Sequence, residues 1–447
     1  MMFEKPSLTM KGIFSQRSCF KRWLRIEAAL AEAQAAVGLI PQKIADDIRE
    51  KSDVEKLDLS RYDEMYAETG HPMVAFLRMI EPQMGGAGQY LHIGPTTHDI
   101  VDTGTVLALK AVYDLIYESL GRIEDGLLLL SEKYADAVMA ARTHNVQAVP
   151  ITFGFKTAIM AREIHRDLER LSESKKRVLT IQLSGAGGTM AAFGPKAPEI
   201  QRLTAEILGL NVPVIAWHAA RDRLVEFTNL LMLTALALGR IGQEVYLLMA
   251  TEVGEVFEPW KEGIVGSSCM PHKINPVISQ NMMSLARKIR YNAFLTAETA
   301  MVDHEWNLEH FLSGREKLEE ACIYMGELLE HSENIVKNMV VNPDRMRENL
   351  DILNGLMQSE SVMIALGNKI GKMRAHEIVN EDATRALRGG RAFATVLAED
   401  DRVNRHLTGN EIKNLLDPAN HIGLAPEFAR EVVKRSRADK GGENDGI

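Results

Sequence analysis

Aromatic residues make up only 6% of the 447-residue chain, and there are three cysteines, Cys19, Cys269 and Cys322. Three thiols with no metal-ligand spacing cannot all pair, which argues against a disulfide scaffold and for a reducing compartment. Cys269 reads as a small filler residue. Excess positive charge is also lacking: the formal net charge is −9 and the basic residues are spread along the chain, so there is no electrostatic footprint for nucleic acid. No long apolar run occurs. The longest, around Leu230 to Leu238, is far too short to span a bilayer, and Met1 to Pro6 lacks the apolar core of a signal peptide. These absences lead to the expectation of a soluble, cytoplasmic protein without nucleic-acid or membrane partners.

What the chain has in quantity is helix-forming material. Apolar residues reach 46%, charged residues 25% and methionine 22 positions, within the range of globular proteins and tilted toward helix. Apolar residues recur at three- and four-residue steps from Ser15 to about Val37, where Gly38 stops the pattern. Helical periodicity returns in Pro41 to Ile48, in the stretch before Ile80, and in long segments: Thr103 to Glu132, Thr152 to Thr180, Ala220 to Ala250 and Pro276 to Met301. A short helical piece, Ala135 to Ala141, is expected before a break at Arg142-Thr143-His144-Asn145. A helix of about 25 residues is about 40 Å long and needs neighbours. Leu230, Leu231, Met232, Leu233, Leu236 and Leu238 nearly encircle theirs, which implies burial on all sides and association of helices between subunits. After Asn342-Pro343 the pieces shorten and glycines multiply. The expected fold is all-α in three regions: an N-terminal helical domain (1–102), a central long-helix bundle (103–342) and a small helical C-terminal domain (343–447).

Three breaks in the helical pattern carry polar strings: Thr96-Thr97-His98-Asp99, Arg142-Thr143-His144, and Gly266-Ser267-Ser268-Cys269-Met270-Pro271-His272-Lys273-Ile274-Asn275-Pro276. The glycines at 85–88 follow no strand and match no phosphate-binding pattern. Gly266-Ser267-Ser268 is not a nucleophile elbow, which disfavours a Ser-His-Asp hydrolase, and paired metal-ligand spacings are lacking, so neither metal nor cofactor is expected. The three strings, in this order, resemble the motif blocks of the fumarase/aspartase superfamily. The resemblance implies a homotetramer around a shared helical bundle, with active sites assembled from several chains. It also implies cleavage of a C–N or C–O bond beside a carboxylate, usually with release of fumarate.

That chemistry explains the residue types. Taking a proton from the carbon beside a carboxylate adds a second negative charge, which fixed cations and hydrogen-bond donors must offset. Lys273, Asn275, Thr96, Thr97 and Thr143 suit that role. A serine becomes a base only where its alkoxide is stabilised in a dry site, and Ser267, with Lys273 nearby, is the expected base, Ser268 being next. His144 is the expected acid for the leaving atom. His71 and His92, with His144, stand where the adenylosuccinate lyase branch has histidines. Trp217-His218-Ala219-Ala220-Arg221-Asp222-Arg223 and Leu416-Asp417-Pro418 resemble the 3-carboxy-cis,cis-muconate cycloisomerase branch instead. The leading expectation is elimination from an N-substituted aspartate, a small succinyl or dicarboxylate substrate. The alternatives are cycloisomerisation and a non-catalytic structural homotetramer, which would have no use for a paired base and acid.

Overall fold

Capping residues set the helix boundaries of the protein, a computed structural model that describes residues 6–260, 269, 270 and 272–443. Ser15 accepts the backbone N–H of Ser18 to open α1 (Gln16–Ala36), which buries Phe20, Trp23, Leu24, Ile26 and Leu30. Gly38, at φ 76°, takes the left-handed conformation that turns the chain away. α2 (Pro72–Met84) starts with proline in its first turn, where the missing N–H costs nothing, and buries Met73, Phe76, Met79 and Ile80. Phe76 meets Trp23 edge-on at 5.2 Å and Phe20 at 5.3 Å, an aromatic cluster that joins α1 to α2.

The long helices follow: α3 (Thr97–Lys133), α4 (Phe153–Val178), α5 (Asp222–Leu248), α6 (Val277–Glu298) and α7 (Arg315–Asn338). α3, at 37 residues, is about 55 Å long. The fold is all-α, as expected, with two small two-stranded sheets among the described residues.

One of these sheets corrects the reading of Ala135 to Ala141. That stretch is not helical. β1 (Val138–Thr143) pairs antiparallel with β2 (Val146–Thr152), Val138 opposite Thr152 and Thr143 opposite Val146. His144 (φ 51°) and Asn145 (φ 64°) supply the left-handed pair that a two-residue hairpin turn requires. Ala and Met favour helix locally, but the alternating Val146, Ala148, Pro150 and Thr152 fit a pleated strand and the turn decides the outcome.

The chain divides into two units. The first comprises the described residues of Met1–Leu120, Asp167–Leu238 and Ser284–Glu330; the second those of Gly121–Arg166, Gly239–Met283 and His331–Ile447. Each of α3 to α7 passes from one unit into the other. In the second unit β3 (Val256–Phe257) pairs with β4 (Val340–Val341), and Asn342 caps α8 (Pro343–Asn349). Beyond it, short helices bury Val362, Leu366, Ile378, Phe393, Val396 and Leu397 in a core of their own.

α5 buries Leu231, Ala235, Leu238, Ile241, Val245 and Leu248, while Leu233, Leu236, Tyr246 and Leu247 are exposed on the single chain. Burial on all sides is thus not reached within one subunit. The same helix qualifies the reading of the apolar run: among the described residues α5 is long and apolar enough to cross a membrane by length and composition, because Thr228, Asn229 and Thr234 interrupt it only mildly. Of its most apolar window 56% is buried in the fold, the pattern of a core helix.

Candidate active site

In the first unit, the starts of two helices face the same cleft. His71 is the residue before α2, and its Nδ1 accepts the N–H of Val74 at 3.4 Å. Thr96 and Thr97 lead into α3, at the end of the helix where partial positive charge gathers. Together with His98, Ala186, His218 and Trp306 these residues line a cleft of about 270 Å³.

The buried carboxylate of Asp99 fixes this arrangement. Its Oδ2 accepts the backbone N–H groups of Thr96 (2.9 Å) and Gly185 (2.8 Å), and its Oδ1 accepts those of Ser184 (2.9 Å) and the Gln182 side chain (3.2 Å). His218 Nε2 lies 3.1 Å from Oδ1. Burial alone would raise the pKa of Asp99, but His218 and the backbone donors outweigh it and hold the carboxyl below its ordinary value. The glycine-rich interval at 183–189 is therefore pinned to the start of α3.

His98 packs against Trp306 with ring centroids 3.9 Å apart and the rings tilted by 32°. Burial pushes its pKa down to about 4 against the pull of Asp102, and Arg221 and His218 push the same way, so the ring is neutral at neutral pH. On its other side His98 joins Asp102, Arg221, His310 and Arg315 around a cavity wide enough for about one water molecule. There Arg221 Nη1 lies 2.8 Å from Asp102 Oδ1, and His310 is also lowered to about 4, by burial first and Arg221 second.

Of the residues expected from sequence, the cleft brings together His71, Thr96 and Thr97. His92 is engaged elsewhere: its backbone N–H donates to Glu27 Oε2 (2.9 Å) and its Nδ1 lies 2.7 Å from Glu27 Oε1. Burial tends to lower the His92 pKa, but the hydrogen bond and charge of Glu27 prevail and raise it. Thr143 and His144 belong to the second unit, exposed at the end of β1 and in the turn to β2. Lys273, also exposed, donates its backbone N–H to Met270 (3.0 Å), and Asn275 accepts the N–H of Val277 (2.9 Å) just before α6. The expected bases, Ser267 and Ser268, lie outside the described residues. The sequence reading passed over Asp99, His98, His218 and Trp306 as site residues. Asp99 and His98 sit inside the Thr96 string and His218 inside the Trp217 string, so the signal was there, but which side chains turn inward depends on the tertiary fold.

The mainly helical subunit with a histidine- and threonine-lined cleft at the start of a long helix is matched by family models of lyases. The family described as Lyase matches residues 1–290, and the one described as adenylosuccinate lyase C-terminus matches residues 355–432. The chain is 38% identical to N-acetyl-S-(2-succino)cysteine lyase of Dickeya dadantii, over 95% of this chain and 94% of that one. It is 36% identical to adenylosuccinate lyase of Methanocaldococcus jannaschii, over 96% and 94%. It also resembles the crystal structure of 3-carboxy-cis,cis-muconate lactonizing enzyme from Pseudomonas putida, with a TM-score of 0.90 and 34% identity, covering 96% of this chain and 97% of that one. The chain belongs to the fumarase/aspartase superfamily of lyases.

Proposed function

We propose that the protein eliminates a heteroatom leaving group from a succinyl compound and releases fumarate. The observation that carries this reading is the cleft in which His71, Thr96 and Thr97 gather at the start of α3, a place suited to a carboxylate. Ser267 takes the proton from the carbon beside one carboxylate, with Ser268 the next candidate. The electron pair forms the double bond, the carbon–heteroatom bond breaks, and His144 delivers a proton to the departing atom. Thr143, Lys273 and Asn275 offset the charge that builds on the substrate, and His92 is a further substrate-binding candidate. Four chains form the enzyme, each built of the regions 1–102, 103–342 and 343–447.

The leading substrate class is an N-substituted aspartate, with adenylosuccinate its nearest named member. A thioether of succinate is the second reading, favoured by the relative from Dickeya dadantii that its name says acts on N-acetyl-S-(2-succino)cysteine. Cycloisomerisation of 3-carboxymuconate is the third, favoured by the Trp217 to Arg223 string. The test is to offer the purified enzyme adenylosuccinate, alkyl N-substituted aspartates, N-acetyl-S-(2-succino)cysteine and 3-carboxymuconate while following fumarate. Fumarate from a succinyl amine or thioether is the expected result. Silence from every succinyl compound, with muconate consumed, would replace elimination by cycloisomerisation.

A further inference from the structure

The hairpin that carries His144 is not held by its own two strands alone. Two residues before His144, Arg142 Nη2 donates to Glu255 Oε1 at 2.7 Å and Nη1 donates to Glu255 Oε2 at 3.0 Å, a two-point pair that fixes direction as well as distance. Glu255 is completely buried and Arg142 largely so. The same Oε1 accepts the side-chain amide of Asn349 at 2.7 Å, and that amide also donates to the carbonyl of Val253 at 2.8 Å. From β2, Gln147 Nε2 donates to the carbonyl of Asn349 at 2.8 Å. The backbone of Glu255 is itself pinned, its N–H to Leu248 at the end of α5 and its carbonyl to the N–H of Asn342 at the start of α8, each at 2.9 Å. Both strands of the hairpin are thus tied by side chains on either flank of the turn, β1 to the buried carboxylate of Glu255 and β2 to the main-chain carbonyl of Asn349.

We infer that Arg142, Glu255 and Asn349 are positioning residues that hold His144 where it can protonate the leaving atom. The inference rests on the elimination proposed above and on His144 as its acid. The register of β1 shifts between Ala140 and Arg142, so the short paired segment beside the turn, Arg142 with Gln147 and Thr143 with Val146, is offset from the rest of the hairpin. The guanidinium–carboxylate pair adds a side-chain constraint to that segment. An exposed turn with two residues in left-handed conformation would otherwise sample several orientations, and general acid catalysis requires the donor within hydrogen-bond reach of the atom it protonates. A lysine at 142 would keep the charge but lose the second bond to Glu255.

The test uses leaving-group dependence, which a purely structural role does not change. An amine cannot depart as an anion and needs the acid, whereas a thiol or an aryl amine of low pKa departs with less help. Arg142→Lys, Asn349→Ser and His144→Asn are compared on a graded series of succinyl compounds, in whichever heteroatom class the enzyme accepts, with melting temperature and oligomer mass checked for each. Arg142→Lys and Asn349→Ser are expected to lose about 10- to 100-fold in kcat on the poorest leaving groups and about 3-fold or less on the best, with KM little changed. Combining Arg142→Lys with His144→Asn is expected to cost no more on the poor leaving groups than His144→Asn alone. A loss that is uniform across the series for Arg142→Lys and Asn349→Ser, while His144→Asn is selective, overturns the positioning role and leaves His144 as the acid. A flat response from His144→Asn itself removes His144 as the acid, and the positioning role with it. Should either positioning variant fail to fold, Gln147→Ala, which removes only the tie from β2, takes its place with the same expected selectivity.

Discussion

Asp99 shows how one buried charge can organise a site without being part of its chemistry. Its oxygens accept from Thr96, Ser184, Gly185 and Gln182, so an amide at this position would turn a donor toward groups that are themselves donors. Asp99→Asn is expected to destabilise the protein by about 2–3 kcal/mol, measured by denaturant unfolding, and to weaken substrate binding through the displaced Thr96 and Thr97. The histidines give an opposing pair of pH effects. His98 and His310 are lowered to about 4 in the folded protein, so the unfolded chain binds their protons more readily. Their contribution is complete above about pH 6.5 and is lost as pH falls toward 4. His92 is raised, and its contribution is complete below its unfolded value and fades as pH rises through the folded one. Thermal melts from pH 7 to pH 4 are expected to show falling stability, and His98→Asn to flatten that fall. At this scale the sequence displayed His71, Thr96 and Thr97 as candidates because they stand at pattern breaks. It could not show that His92 is committed to Glu27, 65 positions away.

Among the elements, the long helices α3 to α6 were legible, whereas α7 and the hairpin were not. Gly38 and the proline at 72 mark helix ends by backbone chemistry that needs no tertiary context, and periodic apolar residues do the rest. Ala135 to Ala141 misleads because alanine and methionine carry helix propensity, while the deciding feature, a left-handed His144-Asn145 pair, is a property of two residues. Asn tolerates that conformation and a β-branched residue does not, so Asn145→Val is expected to cost about 1–2 kcal/mol and Asn145→Gly to be tolerated, both read from thermal unfolding. Gly154, at the start of α4, supplies a second test. A Cβ there would lie 2.6 Å from the Ala135 Cα and 2.7 Å from its nitrogen, backbone atoms that cannot swing aside. Gly154→Ala is expected to destabilise the second unit by about 1–3 kcal/mol, although alanine is the better helix former.

For the whole molecule, the exposed apolar side chains on α5 carry the expectation of assembly. Leu233, Leu236, Tyr246 and Leu247 form part of a helix whose other face is core, and a homotetramer would cover them. If the sites are built from several chains, as the resemblance implies, Leu236→Lys reduces the assembly to smaller species in sedimentation and turnover falls in parallel. Fold class was readable from composition and period. The path of the helices was not, since α3 to α7 each cross between two units at positions that no composition change marks. The proposed division of labour is drawn from three strings, of which Thr96 and Thr97 line the cleft of the first unit while Thr143 and His144 belong to the second.

The central claim is that a serine in the Gly266 to Pro276 loop removes a proton from a succinyl substrate so that fumarate leaves. Its most direct test is fumarate formation by Ser267→Ala, compared with the unaltered enzyme at saturating substrate and with the oligomer mass shown to be the same. The account predicts a loss of several orders of magnitude, with Ser268→Ala much less affected. Undiminished fumarate release by Ser267→Ala would contradict it.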